Sequence, residues 1–319
     1  MAGLVFLVLG AELLVRGAST LATRCGVAPV IVGLTVVAFG TSAPELAVSV
    51  GASATGSPDV ALGNVVGSNI GNVLLILGVS AVIGGLAVSS RIVRLDLPVL
   101  VVVSLLVAVL AVDGSIGRLD GVVLTLGILG YTGWLIRAAR AERPEVGAEF
   151  GDAVERLEES VVGRGVFVQT GAVVSGLVLL VVGAQMLVGA ATDIAEVLGV
   201  SDLVIGLTVV AVGTSLPEFA TSVLAVLRGQ RDLAVGNVVG SNLFNLLGVL
   251  GVSSLVGGGV PVGEGALRLD LPVMVAATLV LVPIVWSGFE IHRWEGAVLV
   301  GAYVGYVAFL VLDAGGHAA

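Results

Sequence analysis

GLTVVAFGTSAPE at residues 33–45 returns almost unchanged as GLTVVAVGTSLPE at 206–218. The likeness extends outward from both stretches. Residues 33–84 align without gaps to 206–257, with 32 identities in 52 positions. GNVVGSNIGN at 63–72 matches GNVVGSNLFN at 236–245, and RLDLPV at 94–99 recurs at 268–273. The chain therefore carries one large unit twice, with a period far beyond the roughly 20–50 residues of a solenoid repeat.

Both copies are written for lipid. Of the 319 residues, 57% are hydrophobic and 12% charged, against about 25% charged in an ordinary soluble domain. The mean hydropathy is +1.15. A bilayer core needs about 20 apolar residues per helix. Ten runs meet or approach that length: 3–23, 29–56, 60–85, 97–112, 120–139, 166–191, 203–227, 233–257, 271–287 and 296–313. The fourth and ninth are short and are expected to tilt less or to extend at their ends. The 47 glycines suit close helix packing in lipid. The first run lacks a basic flank and a small-residue cleavage site, and reads as a retained helix. The expected fold is an all-α membrane protein of ten transmembrane helices in two inverted five-helix repeats. Residues 1–140 and 166–319 are the repeats, joined by a cytoplasmic linker at 141–165. An odd number of helices per unit sends the second copy into the membrane the other way up. That is the architecture in which transporters bind substrate near the midplane.

Arginine placement sets the expected orientation, in the inner membrane of the cell. With the N-terminus outside, Arg24, Arg91, Arg94, Arg137, Arg140, Arg143, Arg156, Arg164, Arg228, Arg231 and Arg293 fall on the inner side. Only Arg118 and Arg268 fall outside, with Arg16 inside the first run. Both termini are then outside. The linker is polar and acidic, is expected to be helical over 148–160, and reads as a solvated connection. A net charge of -9 argues against nucleic acid as a partner. The one cysteine, Cys25, excludes an internal disulfide or a cysteine cluster. No resident cofactor, enzymatic activity or obligatory protein partner is expected.

The chemistry sits in the quoted segments. Glu45 and Glu218 lie in long apolar runs, where a carboxylate costs at least about 2.5–3.5 kcal/mol to insert and usually marks an ion pathway. Thr41, Ser42 and Glu45 fall within one helical turn, as do Thr214, Ser215 and Glu218. Pro44 would clash with the carbonyl of Gly40, and Pro217 repeats the arrangement at Gly213. The helix should loosen there and free carbonyls around Ala38 to Gly40. Irregular backbone at this depth is tolerated where it lines a cavity. A second polar stripe runs through Asn64, Ser68 and Asn72, and again through Asn237, Ser241 and Asn245. These asparagines and serines are either ligands or bridges between helices. The glycines beside them are expected to pack against a neighbouring helix. Such an all-oxygen set suits Ca2+, which takes 6–8 oxygen ligands. Transition metals would want His or Cys, and the only histidines are His292 and His317, in a loop and at the terminus. Asp59 and Asp232 read as helix caps, and Glu12 with Arg16 as an ion pair within the first helix.

At these residues the sequence resembles the calcium/cation antiporter superfamily, in particular the prokaryotic sodium/calcium exchangers. GTSxPE followed by GNVxGSN, each present twice, carries the likeness, which covers nearly the whole chain. The resemblance implies inverted repeats around four central cation sites in a diamond, with Ca2+ and Na+ as the cargo. It implies that Glu45 and Glu218 ligate Ca2+ together with Thr41 and Thr214 carbonyls or hydroxyls. Ala38, Ser42, Ser68, Ala211, Ser215 and Ser241 would complete flanking sodium sites, and Asn72 and Asn245 the middle one. It further implies electrogenic exchange of three Na+ for one Ca2+. Some relatives have an acid in place of Asn245, associated with potassium dependence, so the amide here implies exchange without potassium. A Ca2+/H+ antiporter is the alternative reading of the same glutamates, although the hydroxyl-rich oxygen shell suits sodium better.

Overall fold

In lipid a backbone must satisfy its polar groups within its own segment, and long apolar runs do so as helices. The computed structural model describes residues 2–25, 27–141, 155–197, 211–286 and 288–316. In chain order the helices are α1 (Ala2–Cys25), α2 (Pro29–Thr41), α3 (Ala43–Ala54), α4 (Val60–Gly84), α5 (Ile92–Asp113) and α6 (Arg118–Ala141). They continue as α7 (Glu155–Val197), α8 (Ala211–Thr214), α9 (Leu216–Leu227), α10 (Arg231–Gly257), α11 (Ala266–Trp286) and α12 (Arg293–Gly316). Seven of the described helices, α1, α4, α5, α6, α7, α10 and α11, are long and apolar enough to cross a membrane. The pair α2–α3, bent by 45°, makes an eighth candidate span. The chain is an all-helical, multi-pass membrane protein.

Details depart from the linear reading. The two short runs are lengthened at their starts by wide π-helical turns, Ile92–Asp96 and Ala266–Asp270. α7 is 43 residues long and begins at Glu155, so the end of the expected linker is the start of a helix. The rest of the segment expected to be helical, 148–154, lies outside the described residues, as does the beginning of the 203–227 run. Asp232 is not a cap: Gln230 holds the N-cap position of its helix and Asp232 lies in the first turn.

Polarity is arranged for lipid outside and oxygen inside. Val102, Val109, Leu126, Leu129, Val298 and Leu312 each expose more than half of their surface. Glu45, Glu218, Asn72, Asn237, Ser241 and Asn245 are all buried.

Contacts come in exchanged pairs. α1 and α7 run antiparallel, with Gly3 against Gly183 and Gly10 against Gly176. A Cβ on Gly10 would lie 2.8 Å from the Gly176 carbonyl, and one on Gly183 would lie 2.8 Å from the Gly3 carbonyl. In the repeat register Gly3 corresponds to Gly176 and Gly10 to Gly183. The short strands do the same. β1 (Leu86–Ala87) pairs with β4 (Glu290–Ile291), and β2 (Ser115–Ile116) with β3 (Val260–Pro261), both antiparallel. Each copy thus completes its surroundings with the other.

Candidate cation site

The site forms where α2 breaks into α3 and α8 into α9. At the breaks Ser42 has φ -84° and ψ 10°, and Ser215 has φ -86° and ψ 6°. Pro44 and Pro217 occupy the first turns of α3 and α9, where a missing N–H removes no helical bond and the fixed φ suits the new helix. Glu45 and Glu218 follow in the same turns, so each carboxylate sits at the positive end of a helix dipole. Gly40 and Gly213 are needed for packing: Leu177 covers the first and Val188 the second, both from α7, with no room for a Cβ. The backbone opens differently from the expected pattern. The Ala38 carbonyl keeps a helical partner, the Ser42 N–H at 3.0 Å, and also accepts from Thr41 Oγ1 at 3.4 Å.

Partners across the site belong to opposite copies. Ser42 Oγ donates to Glu218 Oε1 at 2.8 Å, and Ser215 Oγ donates to Glu45 Oε1 at 3.3 Å. Thr41 Oγ1 donates to Asn237 Oδ1 at 3.2 Å, and Thr214 Oγ1 donates to Asn64 Oδ1 at 3.3 Å. The one-turn spacing made Ser42 a neighbour of Glu45, yet its hydrogen bond goes to the other glutamate.

The polar stripes of α4 and α10 supply the remaining walls. Ser241 Oγ approaches Glu218 Oε1 at 3.5 Å, and Ser215 Oγ lies 3.3 Å from Ser68 Oγ. Asn64 bridges: its Nδ2 donates to Ser49 Oγ at 2.9 Å and to the Glu45 carbonyl at 3.3 Å. Asn237 Nδ2 donates likewise to Ser222 Oγ at 3.0 Å. Ser49 and Ser222 are buried site-wall residues that the sequence reading passed over. Their signal was present, for each is a hydroxyl four residues after its glutamate in aligned positions. Asn72 Nδ2 donates to Asn242 Oδ1 at 2.9 Å, a bridge from α4 to α10. Asn72 and Asn245 lie where both helices widen into π-helical turns, Asn72–Leu77 and Phe244–Val249. Such turns recur at functional sites because they displace the helical register locally.

Of the expected glycine row, Gly236 and Gly240 pack on α2. A Cβ on Gly240 would lie 2.7 Å from Ala38 Cβ, and one on Gly236 would lie 2.8 Å from the Val30 carbonyl. Gly63 and Gly67 meet no described atom within 4 Å. Ala211 is the first residue of α8, and its side chain lies outside what is described.

Several buried oxygens in this cluster have no hydrogen-bond partner among the described residues: Glu45 Oε2, Glu218 Oε2, Asn72 Oδ1 and Asn245 Oδ1, with Asn245 Nδ2 beside them. Most buried polar atoms in proteins are paired. Carboxylate, amide, hydroxyl and carbonyl oxygens without a donor are the ligand set of a hard cation. No group of three or more His, Cys, Asp and Glu that could hold a metal exists among the described residues. The charge at this site therefore rests on two carboxylates.

The chain is similar to known proteins over nearly its whole length. The profile of the sodium/calcium exchanger protein family matches residues 1–137 and 168–312. A putative antiporter, CaxA of Alkalimonas amylolytica, is 39% identical over 316 residues, covering 95% of each chain. The sodium/calcium exchanger MaX1 of Methanosarcina acetivorans is 35% identical over 97% of this chain and 96% of its own. Among solved structures, the sodium-calcium exchanger NCX_Mj superposes with a TM-score of 0.83 at 32% identity, over 96% of both chains. With its duplicated motif, its helical membrane fold and a family match over most of its length, the chain belongs to the sodium/calcium exchanger family.

Proposed function

We propose that the chain is a secondary antiporter that exchanges Na+ for Ca2+ by alternating access, with three Na+ per Ca2+ and net charge movement. The observation that carries this reading is the pair of buried glutamates. Each is held through one oxygen by a serine of the opposite copy and has a second oxygen without a hydrogen-bond partner among the described residues. Two carboxylates balance one Ca2+ in formal charge, whereas three Na+ leave the site at +1. Both cargoes need the same carboxylates, so they compete. Either load neutralises the site enough for apolar helices to move past it. The empty site carries two negative charges in a low-dielectric interior and resists that movement, which yields exchange and not leak. Thr41, Thr214, Ser42, Ser215, Ser68, Ser241, Asn72 and Asn245, with the Ala38 and Ala211 carbonyls, supply the neutral oxygens. No chemical bond changes, so the protein acts as a transporter and not as an enzyme.

In this reading the architecture is ten spans in two inverted five-helix repeats, supported by the exchanged contacts of α1 with α7 and of the strand pairs. The arginine distribution places both termini outside and the central linker in the cytoplasm. α1 and α7, packed on each other through glycines, form the movable unit. The test is a flux measurement in proteoliposomes. An outward Na+ gradient at fixed pH should drive Ca2+ uptake and generate a membrane potential. A pH gradient without Na+ should not. Uptake driven by protons alone would reject sodium coupling in favour of Ca2+/H+ exchange.

A further inference from the structure

The exposed face of α1 changes character part-way along. Leu4, Val5, Val8, Leu9 and Leu13 expose between 38% and 54% of their surface. In steps of three and four residues the same stripe continues through Arg16, Thr20 and Thr23. Arg16 keeps 66% of its side chain exposed on a helix that crosses the membrane. A guanidinium on a lipid-facing stripe is stable where it can extend to the headgroup layer. Arg16 lies in the C-terminal half of the Ala2–Arg24 span, a long side chain's reach from that layer.

A second arginine is delivered to the same level from far along the chain. After α9 the turn Arg228–Gly229–Gln230, with Gly229 at φ +75°, folds over α1. Arg228 grips Glu12 with two nitrogens, Nε to Oε2 at 2.9 Å and Nη2 to Oε1 at 2.7 Å. Arg16 pairs with Glu12 as well. Between these elements lies a cavity of about 300 Å³ lined by Val15, Arg16, Ser19, Thr20, Arg228 and Gln230. Glu12 offsets one of the two positive charges, leaving the seat at +1, and Ser19, Thr20 and Gln230 add neutral donors. The counterparts of Glu12, Arg16, Ser19, Thr20, Arg228 and Gln230 in the other copy are Gln185, Gly189, Thr192, Asp193, Thr55 and Ser57, with no arginine. The seat exists on one face of the membrane only.

We infer that this cavity binds the phosphate of an anionic phospholipid, with the acyl chains lying along the apolar stripe of α1. Beyond the nitrogens that hold Glu12, Nη1 of Arg228 and the two Nη groups of Arg16 are charge-assisted donors of the kind that phosphate oxygens match. The apolar stripe below them supplies the reason for the occupant to be a lipid and not a soluble anion.

The inference is tested on the purified full-length protein by native mass spectrometry with phosphatidylglycerol and phosphatidylcholine offered together. The wild type should retain phosphatidylglycerol preferentially. Arg16→Gln combined with Arg228→Gln should reduce that preference roughly thirtyfold, given about 1 kcal/mol for each of the two interfacial arginines. Because Arg228 also ties the turn to α1, a second variant leaves every charge in place: Ser19→Leu fills the cavity and should reduce the preference comparably. Retention unchanged in Ser19→Leu and in the arginine variant would overturn the proposal. Displacement of the lipid by millimolar glycerol 3-phosphate would overturn the lipid assignment, because the seat would then take a free phosphate.

Discussion

Glu218→Gln isolates charge from shape. Glu218 is completely buried, Ser42 and Ser241 reach its Oε1, and its Oε2 has no hydrogen-bond partner among the described residues. Glutamine keeps an oxygen and nearly the same volume, so the neutral contacts survive while one negative charge is lost. A bound Ca2+ then faces a single carboxylate, and the site carries +1. Leaving a buried charge without its partner costs about 3–5 kcal/mol. At about 1.4 kcal/mol per decade, Ca2+ affinity should fall by about two to three and a half orders of magnitude. Each Na+ carries half the charge and loses roughly half the Coulomb energy, so Na+ competition should weaken less than Ca2+ binding. Glu45→Gln should behave the same way, because the two residues occupy matching positions. The assay is Na+-driven uptake of radiolabelled Ca2+ in proteoliposomes, with gel filtration and a thermal midpoint to establish that the variants insert and fold. Wild-type flux with an unshifted Ca2+ dependence in either variant would refute the assignment of the glutamates as ligands.

Three further outcomes follow from the same geometry. Ser42→Ala should lower Ca2+ affinity more than Ser215→Ala, because the hydrogen bonds removed measure 2.8 and 3.3 Å; a bond to a charged group is worth about 1.5–3 kcal/mol, and the reverse order in flux titrations would count against the cross-copy arrangement. Gly240→Ala places a Cβ 2.7 Å from Ala38 Cβ and should destabilise the α2–α10 crossing by about 1–3 kcal/mol, read as a lowered thermal midpoint; an unchanged midpoint would count against the close crossing. Asn245→Leu removes an amide with no hydrogen-bond partner among the described residues and should depress ion affinity while sparing stability, whereas Asn242→Leu breaks the bridge from Asn72 and should cost about 1–3 kcal/mol in a denaturation experiment.

Much of this was legible in the linear chain because duplication repeats chemistry as well as letters. A lone Glu45 in an apolar run could be an eccentric core residue. Its recurrence as Glu218 behind the same Thr, Ser and Pro marked both as candidate site residues; Thr41, Ser42, Glu45, Thr214 and Glu218 are buried, with Ser215 part-buried beside them. Proline and glycine located the breaks to within two residues. Partnership was not legible. Sequence proximity ties Ser42 to Glu45, but the fold brings the two copies face to face and hands the hydroxyl to Glu218. Nor does any local pattern announce that Glu12 is shared by Arg16 and by Arg228, more than two hundred positions away. The π-helical turns at Asn72 and Phe244 also escape propensity arguments, because no residue type in either stretch distinguishes a π turn from an α turn. The helix expected over 148–160 is present from Glu155, but its continuation into one 43-residue helix was not legible.

The exchange of serines has a bearing on ancestry. A half-length chain encoding one copy would carry a glutamate but not the hydroxyl that steadies it, since that hydroxyl is grafted on the other half. Such a chain could complete its chemistry only by pairing with a twin lying head to tail against it. Fusion would make that partnership permanent and free the halves to diverge. The asymmetric features of the present protein, the arginines at positions 16 and 228 among them, are the kind of change that becomes available only after two identical partners have been joined in one chain.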